Sequence, residues 1–451
     1  MGMFWRYFLI IFTWVMSSGA AFAQHQPQTQ GKPADRSGNL VGHGGPVKAV
    51  AISKNGKFAL TGSFDYAAML WNISKGKTPQ LINRFADHNG AVNAVAFVEN
   101  QDRFVSAGDD GAVYLWDAKS AKLLQQFSGH QAKVVSLAVS GDQRLVASAS
   151  WDRTIRLWDL TSLKPAGVLK GHKGPVNAVL FSGDNRFVYS SSYDGTINKW
   201  RVGDGVLIRP VHRHGWGINV MAWLPGKTKI AFGTIDGHVQ IYDLEANEVA
   251  KILIPHQRPV LALAVSKDGK YLASGGGDGV VRVWQMSDWS VVEELHSSFG
   301  PVWSMDFSDS SHIYYAGLDD YVVAWTVSPR EIGKEVQGKF PRRFQKLKNM
   351  SLGERQFARK CSVCHTLKPG DANRAGPSLS GIFGRRAGTL KNYAYSRGLL
   401  TSDIIWNEDT IDKLFLHGPQ IVTPGSKMPL QRISQKEKRQ ALIKFLKSQT
   451  K

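Results

Sequence analysis

Cysteine is almost missing from this chain: two residues in 451, Cys361 and Cys364. A pair of thiols three positions apart cannot staple distant segments, so a disulfide scaffold is excluded. Acidic residues are also sparse, 36 against 56 Lys and Arg, leaving a formal net charge of +20. Past the N-terminus no apolar run approaches the ~20 residues that a membrane-crossing helix needs. Nucleotide-binding loops are lacking too. Gly275-Gly276-Gly277-Asp278-Gly279 joins two strand-like segments and has no strand-turn-helix setting. No nucleophile–base arrangement stands out to suggest hydrolytic chemistry.

What is present begins with a secretory pattern. Arg6 is followed by an apolar run from Phe8 to Met16 and by small residues ending Ala21-Phe22-Ala23. This predicts a signal peptide over residues 1–23, cleaved before Gln24, and hence a periplasmic or otherwise exported protein. An uncleaved membrane anchor is the competing reading, but the run is short for a span. Residues 24–36 are Gln- and Pro-rich and read as a disordered spacer.

The only two cysteines stand in Cys361-Ser362-Val363-Cys364-His365. In C-x-x-C-H each thiol can add to one vinyl group of a single porphyrin, and the adjacent His can bind the iron. A thioredoxin-type motif would need a βαβ context, and zinc would need further Cys or His ligands nearby. Neither is present, so the motif points to one covalent haem c.

The middle of the chain repeats. His88, His130, His172, His214 and His256 recur every 42 residues; His43 starts the series, and Ser298 stands in the last copy. Each copy holds alternating apolar runs such as Val134–Val139, Leu145–Ser148 and Thr154–Trp158. Four short strands per ~42 residues make a propeller blade. An Asp also stands six positions before an aromatic in each copy, in Asp65/Trp71, Asp110/Trp116, Asp152/Trp158, Asp194/Trp200, Asp236/Tyr242, Asp278/Trp284 and Asp319/Trp325. With Gly129-His130 and Trp158-Asp159, this segment closely resembles the WD-repeat family. The resemblance implies seven blades over residues 37–333, pinned by buried His, Ser/Thr, Asp and Trp sets. One His per blade cannot converge on a metal, so these histidines read as structural. His212, His238, His296 and His312 fall outside the pattern and read as surface residues. Blades five and seven, with Tyr242 and without the His respectively, should be pinned less firmly.

After a linker at 334–344 the period becomes helical. Leu352, Gly353, Phe357 and Cys361 share a helix face. A short helix is expected near 408–416. Ser434-Gln435-Lys436-Glu437 reads as a capping box for a last helix with Leu442, Phe445 and Leu446 inward. The Gly376-Pro377 pair, the Tyr395-to-Trp406 spacing and the Pro424-Gly425-Ser426-Lys427-Met428 loop are similar to those of class I (mitochondrial-type) cytochrome c, across residues 345–451. That resemblance implies Met428 as the iron ligand opposite His365, and Pro377 as acceptor for the His365 imidazole. It also implies Arg385, Tyr395, Trp406 and Ser426 as partners of the haem propionates. The fold class expected is therefore an all-β seven-bladed propeller followed by a small all-α domain. The Trp406-to-Met428 interval is one residue longer than the family pattern.

Residues 340–451 carry 22 Lys and Arg against 7 Asp and Glu, an excess of 15. A basic face around a haem steers toward an acidic redox protein; export argues against nucleic acid. Three functions fit: an electron carrier with the propeller as docking module, a subunit of a redox enzyme, and a haem-based sensor. The first requires nothing beyond these features, so the expectation is an electron-transfer protein that is not itself an enzyme. The linker, with Gly338 and Pro341, is expected to be a partly flexible tether, with the propeller leaving the haem's spectrum and potential nearly unchanged.

Overall fold

The computed structural model describes residues 38–327 and 350–450, except positions 77, 100–101, 298–299, 363, 368–375, 392, 394, 425, 427 and 429–431. The signal segment 1–23, the spacer 24–36, the linker 334–344 and the expected equivalence of Ser298 lie outside the described residues.

The alternating runs form strands. In blade three, Val134–Val139, Leu145–Ser150, Thr154–Asp159 and Lys164–Lys170 pair in sequence order, all antiparallel. There are seven such four-stranded sheets among the described residues, and six are continuous in sequence. The seventh takes three strands from 302–326 and its fourth, Leu40–Val41, from the start of the propeller. Leu40 stands opposite Val322 and Val41 opposite Tyr321, while the Asn39 side chain accepts from the Ala324 N–H at 3.0 Å. The two-residue strand carries too little periodicity to be seen in the sequence.

Adjacent blades bury their faces against each other. Val113, Leu115 and Phe127 of blade two pack on Val134, Val146 and Trp158 of blade three. Leu40, Tyr314 and Val322 close the ring against Val47, Met69 and Trp71. In blades one to four, a hydrogen-bond relay crosses each blade. Trp158 Nε1–H donates to Ser148 Oγ at 2.8 Å, Ser148 Oγ lies 2.8 Å from His130 Nε2, and His130 Nδ1 lies 2.7 Å from Asp152. One assignment satisfies every group: the hydroxyl donates to Nε2 and the Nδ1–H donates to the carboxylate. Blades one, two and four repeat the relay through Thr61, Ser106 and Ser190. The residue after the Asp is left-handed, a glycine in blades two, four, five and six. Tyr66 (φ 63°) and Arg153 (φ 71°) adopt the same conformation with full side chains.

In the C-terminal domain helix α1, Leu352–Lys360, is capped by the Ser351 hydroxyl, which accepts from the Glu354 N–H, and runs directly into Cys361. Helices α2 (Arg397–Leu400), α3 (Glu408–His417), α4 (Pro419–Val422) and α5 (Lys436–Gln449) follow. A reciprocal capping box does form, but at α3, between Asn407 and Thr410. The one expected at Ser434 does not. Helix α5 starts at Lys436 with Gln435 in the cap position and no side-chain cap bond. Arg439, paired with Asp412 at 2.9 Å, donates to the Ile433 and Ser434 carbonyls instead and fixes the approach to the helix. Helices α1 and α5 cross at Gly353, where a Cβ would lie 2.1 Å from the Ala441 carbonyl oxygen and 2.7 Å from Phe445 Cβ. Phe357 and Phe445 meet beside it with ring centroids 5.6 Å apart. No helix of the described residues is long and apolar enough to cross a membrane.

Candidate cofactor site

Helix α1 delivers Cys361 to the domain core, where its side chain is buried against Phe357, Leu379 and Leu446. Burial pushes this thiol up to about 12, so as a free group it stays protonated. The chain then turns, with the His365 N–H donating to the Cys361 carbonyl at 2.9 Å, and brings Cys364 and His365 to the same cavity. The His365 Nδ1–H donates to the Pro377 carbonyl at 2.8 Å. This fixes the tautomer and leaves the Nε2 lone pair as the ring's metal-binding position. Gly376 makes the contact possible, since a Cβ on it would lie 2.3 Å from His365 Cε1.

The cavity measures about 1180 Å³ including its open mouth. All nine residues expected at a haem line it: Cys361, Cys364, His365, Pro377, Arg385, Tyr395, Trp406, Ser426 and Met428. Leu379, Ile382, Leu414, Phe415 and Leu446 supply an apolar wall. No Asp or Glu is among the described lining residues, while Lys360 and Arg385 are. Arg385 donates to the Ser378 and Ser380 carbonyls, both at 2.8 Å, and burial lowers its pKa. A half-buried guanidinium with no carboxylate among the described lining residues suits a group that brings its own carboxylates, as haem does. Burial also raises Tyr393 and Tyr395, so both stay hydroxyl donors. The residues present therefore fit a haem c.

Other lining residues were not foreseen, among them Tyr393, Thr423 and Tyr66. Thr423 Oγ1 lies 3.1 Å from Ser426 Oγ, so the Ser426 hydroxyl is already engaged. Tyr66 belongs to blade one, in the left-handed position of its turn. Burial raises it to about 12, with Cys364 and Asp109 adding to the shift. The propeller thus reaches the cavity. No spacing rule links residue 66 to the C-x-x-C-H motif, so only the folded chain reveals it.

The propeller histidines divide. Those at 43, 88, 130, 172 and 256 each face their own Asp and hydroxyl, as expected. His214 does not: Phe232 and Tyr242 fill the places of its hydroxyl and indole partners. His212 is not a surface residue either, since its ring packs on Phe232 and Tyr242 at 5.2 and 5.1 Å.

The family model described as "Cytochrome c" matches residues 350–450. That described as "WD domain, G-beta repeat" matches 35–72, 79–117, 121–159, 163–201 and 247–285, segments that omit most of blades five and seven. The C-terminal segment is 38% identical over 99 residues to cytochrome c of Cochliobolus lunatus, 36% over 102 to that of Sesamum indicum, and 37% over 99 to that of Arabidopsis thaliana. These stretches are 22–23% of this chain and 91%, 91% and 88% of those proteins.

Proposed function

Because the chain belongs to the cytochrome c family through residues 350–450 and carries a WD-repeat propeller ahead of them, we propose that it is an electron-transfer protein and not an enzyme, holding one haem c. The observation that carries this reading is the convergence of Cys361, Cys364, His365 and Met428 on one cavity. When bound, haem c supplies a one-electron iron couple. Cys361 and Cys364 would hold it through thioethers, and His365 and Met428 would offer its iron a nitrogen and a sulfur donor. Pro377 orients the imidazole and strengthens it as a ligand. Arg385, Tyr393, Tyr395, Trp406 and Ser426 offer donors for the propionates, and the apolar wall excludes water.

The propeller supplies a docking surface for a protein partner, and the basic excess of the C-terminal domain favours an acidic redox protein. The pattern over Met1–Ala23 supports export, with a mature chain beginning at Gln24 and located in the periplasm or outside the cell.

The test is a purified full-length protein examined by mass spectrometry, absorption and redox titration. The expected result is one covalent haem, a reversible one-electron couple, and the weak near-infrared band of Met–iron coordination in the oxidised form. Met428→Ala should abolish that band and lower the midpoint potential by on the order of 0.1 V, well within the range that axial ligands control. A Met428→Ala spectrum identical to wild type would refute the ligand assignment.

A further inference from the structure

Blade five keeps the Asp of the pattern but loses the hydroxyl and the indole that accompany its neighbours' histidines. Phe232 replaces the strand hydroxyl, and Tyr242 turns its own hydroxyl to the Val211 carbonyl at 2.8 Å. The ring of His214 is turned as a result. Its Nε2, not its Nδ1, faces Asp236 at 3.5 Å. Two positions after that Asp the other blades carry Ala67, Ala112, Thr154, Thr196, Val280 and Tyr321; blade five carries His238. His238 Nδ1 lies 3.0 Å from the other Asp236 oxygen.

These three ligand atoms all lie within 4.8 Å of one another. They are close: His238 Nδ1 pairs with Asp236 at 3.0 Å, while the buried His214 Nε2, 3.5 Å from the same carboxylate, has no hydrogen-bond partner among the described residues. In the regular blades the equivalent His–Asp contacts are well-aligned hydrogen bonds. Three donors crowded together, one of them a buried nitrogen left without a hydrogen bond, are placed to share a common point. Two donors bound to one tetrahedral Zn²⁺ at ~2.0–2.1 Å stand about 3.3 Å apart; His214 lies 3.5 Å from Asp236 Oδ1 and His238 3.0 Å from Oδ2, so each nitrogen is near that spacing from its own carboxylate oxygen. We propose that His214 Nε2, the Asp236 carboxylate and His238 Nδ1 bind one divalent transition-metal ion at the surface of blade five.

Two nitrogens and one carboxylate oxygen suit zinc, nickel or copper better than calcium or magnesium, which prefer all-oxygen shells. Supporting groups are in place. The Thr234 hydroxyl donates to Asp236 and orients it. The Gln240 amide lies 3.4 Å from His214 Nδ1, and its oxygen can take that N–H once the amide is turned. Asp236 and His238 are partly exposed, so the remaining coordination positions open to water or to an exogenous ligand.

The experiment uses the full-length haem protein, stripped with a chelator and titrated calorimetrically with Zn²⁺, with zinc and iron counted after dialysis. The expected result is one zinc per chain in addition to haem iron. His238→Ala and Asp236→Asn should each weaken binding more than about tenfold, since losing even a ligand's orienting partner costs about 10–100-fold. His296→Ala, at an exposed histidine elsewhere on the propeller, should bind as wild type. Circular dichroism and the haem spectrum check that each variant is folded, and the exposed His238 position makes its variant the safer of the two. No zinc beyond trace, or undiminished binding in both site variants, overturns the proposal.

Discussion

Gly376 holds a place where one methyl group would decide the state of the cofactor site. A Cβ there would fall 2.3 Å from His365 Cε1 and 2.6 Å from Nδ1, so the imidazole must move. Displacement breaks the Nδ1–H bond to Pro377 and with it the orientation of the ring. We expect Gly376→Ala to retain covalent haem, because both cysteines remain, but to show altered axial coordination. Its absorption and midpoint potential should differ from wild type, and unchanged values would remove Gly376 from the argument. At this scale the sequence was most legible where chemistry demands adjacency, as in Cys361-x-x-Cys364-His365. It was least legible where a side chain arrives from another domain. Tyr66 sits in a propeller turn whose left-handed conformation most other blades give to glycine. For a bulky residue that conformation carries a strain of roughly 1–3 kcal/mol, and such strain concentrates at functional sites.

The blade relay is the unit that sets how the propeller responds to substitution and to acid. Ser148 joins two groups, accepting from the Trp158 N–H and lying within bonding distance of His130 Nε2. Ser148→Ala leaves both without a partner in a fully buried place. We expect a loss of about 1–3 kcal/mol in chemical denaturation, the cost of stranding buried polar groups. The carboxylates of the relay set the acid response. Asp65 is held down to about 2, because the pairing with His43, Arg84 and the Gly44 N–H outweighs the opposing effect of burial. Its folded value is below its unfolded one, so its contribution is complete above pH ~4 and is lost as pH falls toward 2. Burial also lowers His130 and His256, which must be neutral to accept from their serines. They begin to cost stability once pH drops below about 6.5. Thermal denaturation should therefore show a melting temperature that declines below pH ~6.5 and falls more steeply below ~4. A melting temperature flat from pH 7 to 3 would contradict this.

Period and spacing made the blades and the paired α1 and α5 readable from the sequence alone. The Ser434 box was misread because Arg439 takes the Ile433 and Ser434 carbonyls and starts the helix one residue later. Blade five was misread in another way. Its histidine keeps the 42-residue step, and nothing in that step reports that the ring has turned over.

At the scale of the whole molecule, the two domains differ in charge. The acids Asp403, Glu408, Asp409 and Asp412 of the C-terminal domain are each paired with a Lys or Arg. The surplus of positive charge is thus left to act at a distance. Its reach is about 30 Å at 0.01 M salt and about 8 Å at 0.15 M. Stopped-flow reduction of the full chain by an acidic redox protein should slow markedly over that range, while reaction with a small neutral mediator should not. Equal salt dependence for both would mean that the charge serves solubility alone.

The strand Leu40–Val41 has a consequence for the life history of the chain. It is made first and finds its partner last, because Asn39 and Ala324 are 285 positions apart. Closing so long a loop costs about 1.7 kcal/mol more in chain entropy than closing one 42-residue blade. Six sheets are each built from consecutive strands, and the seventh alone draws on both ends of the propeller. The haem-binding residues follow only some forty positions later in the chain. Tyr66 sits in the blade next to that seam. The seam therefore acts as a clasp that joins the two ends of the propeller and fastens the blade that carries Tyr66.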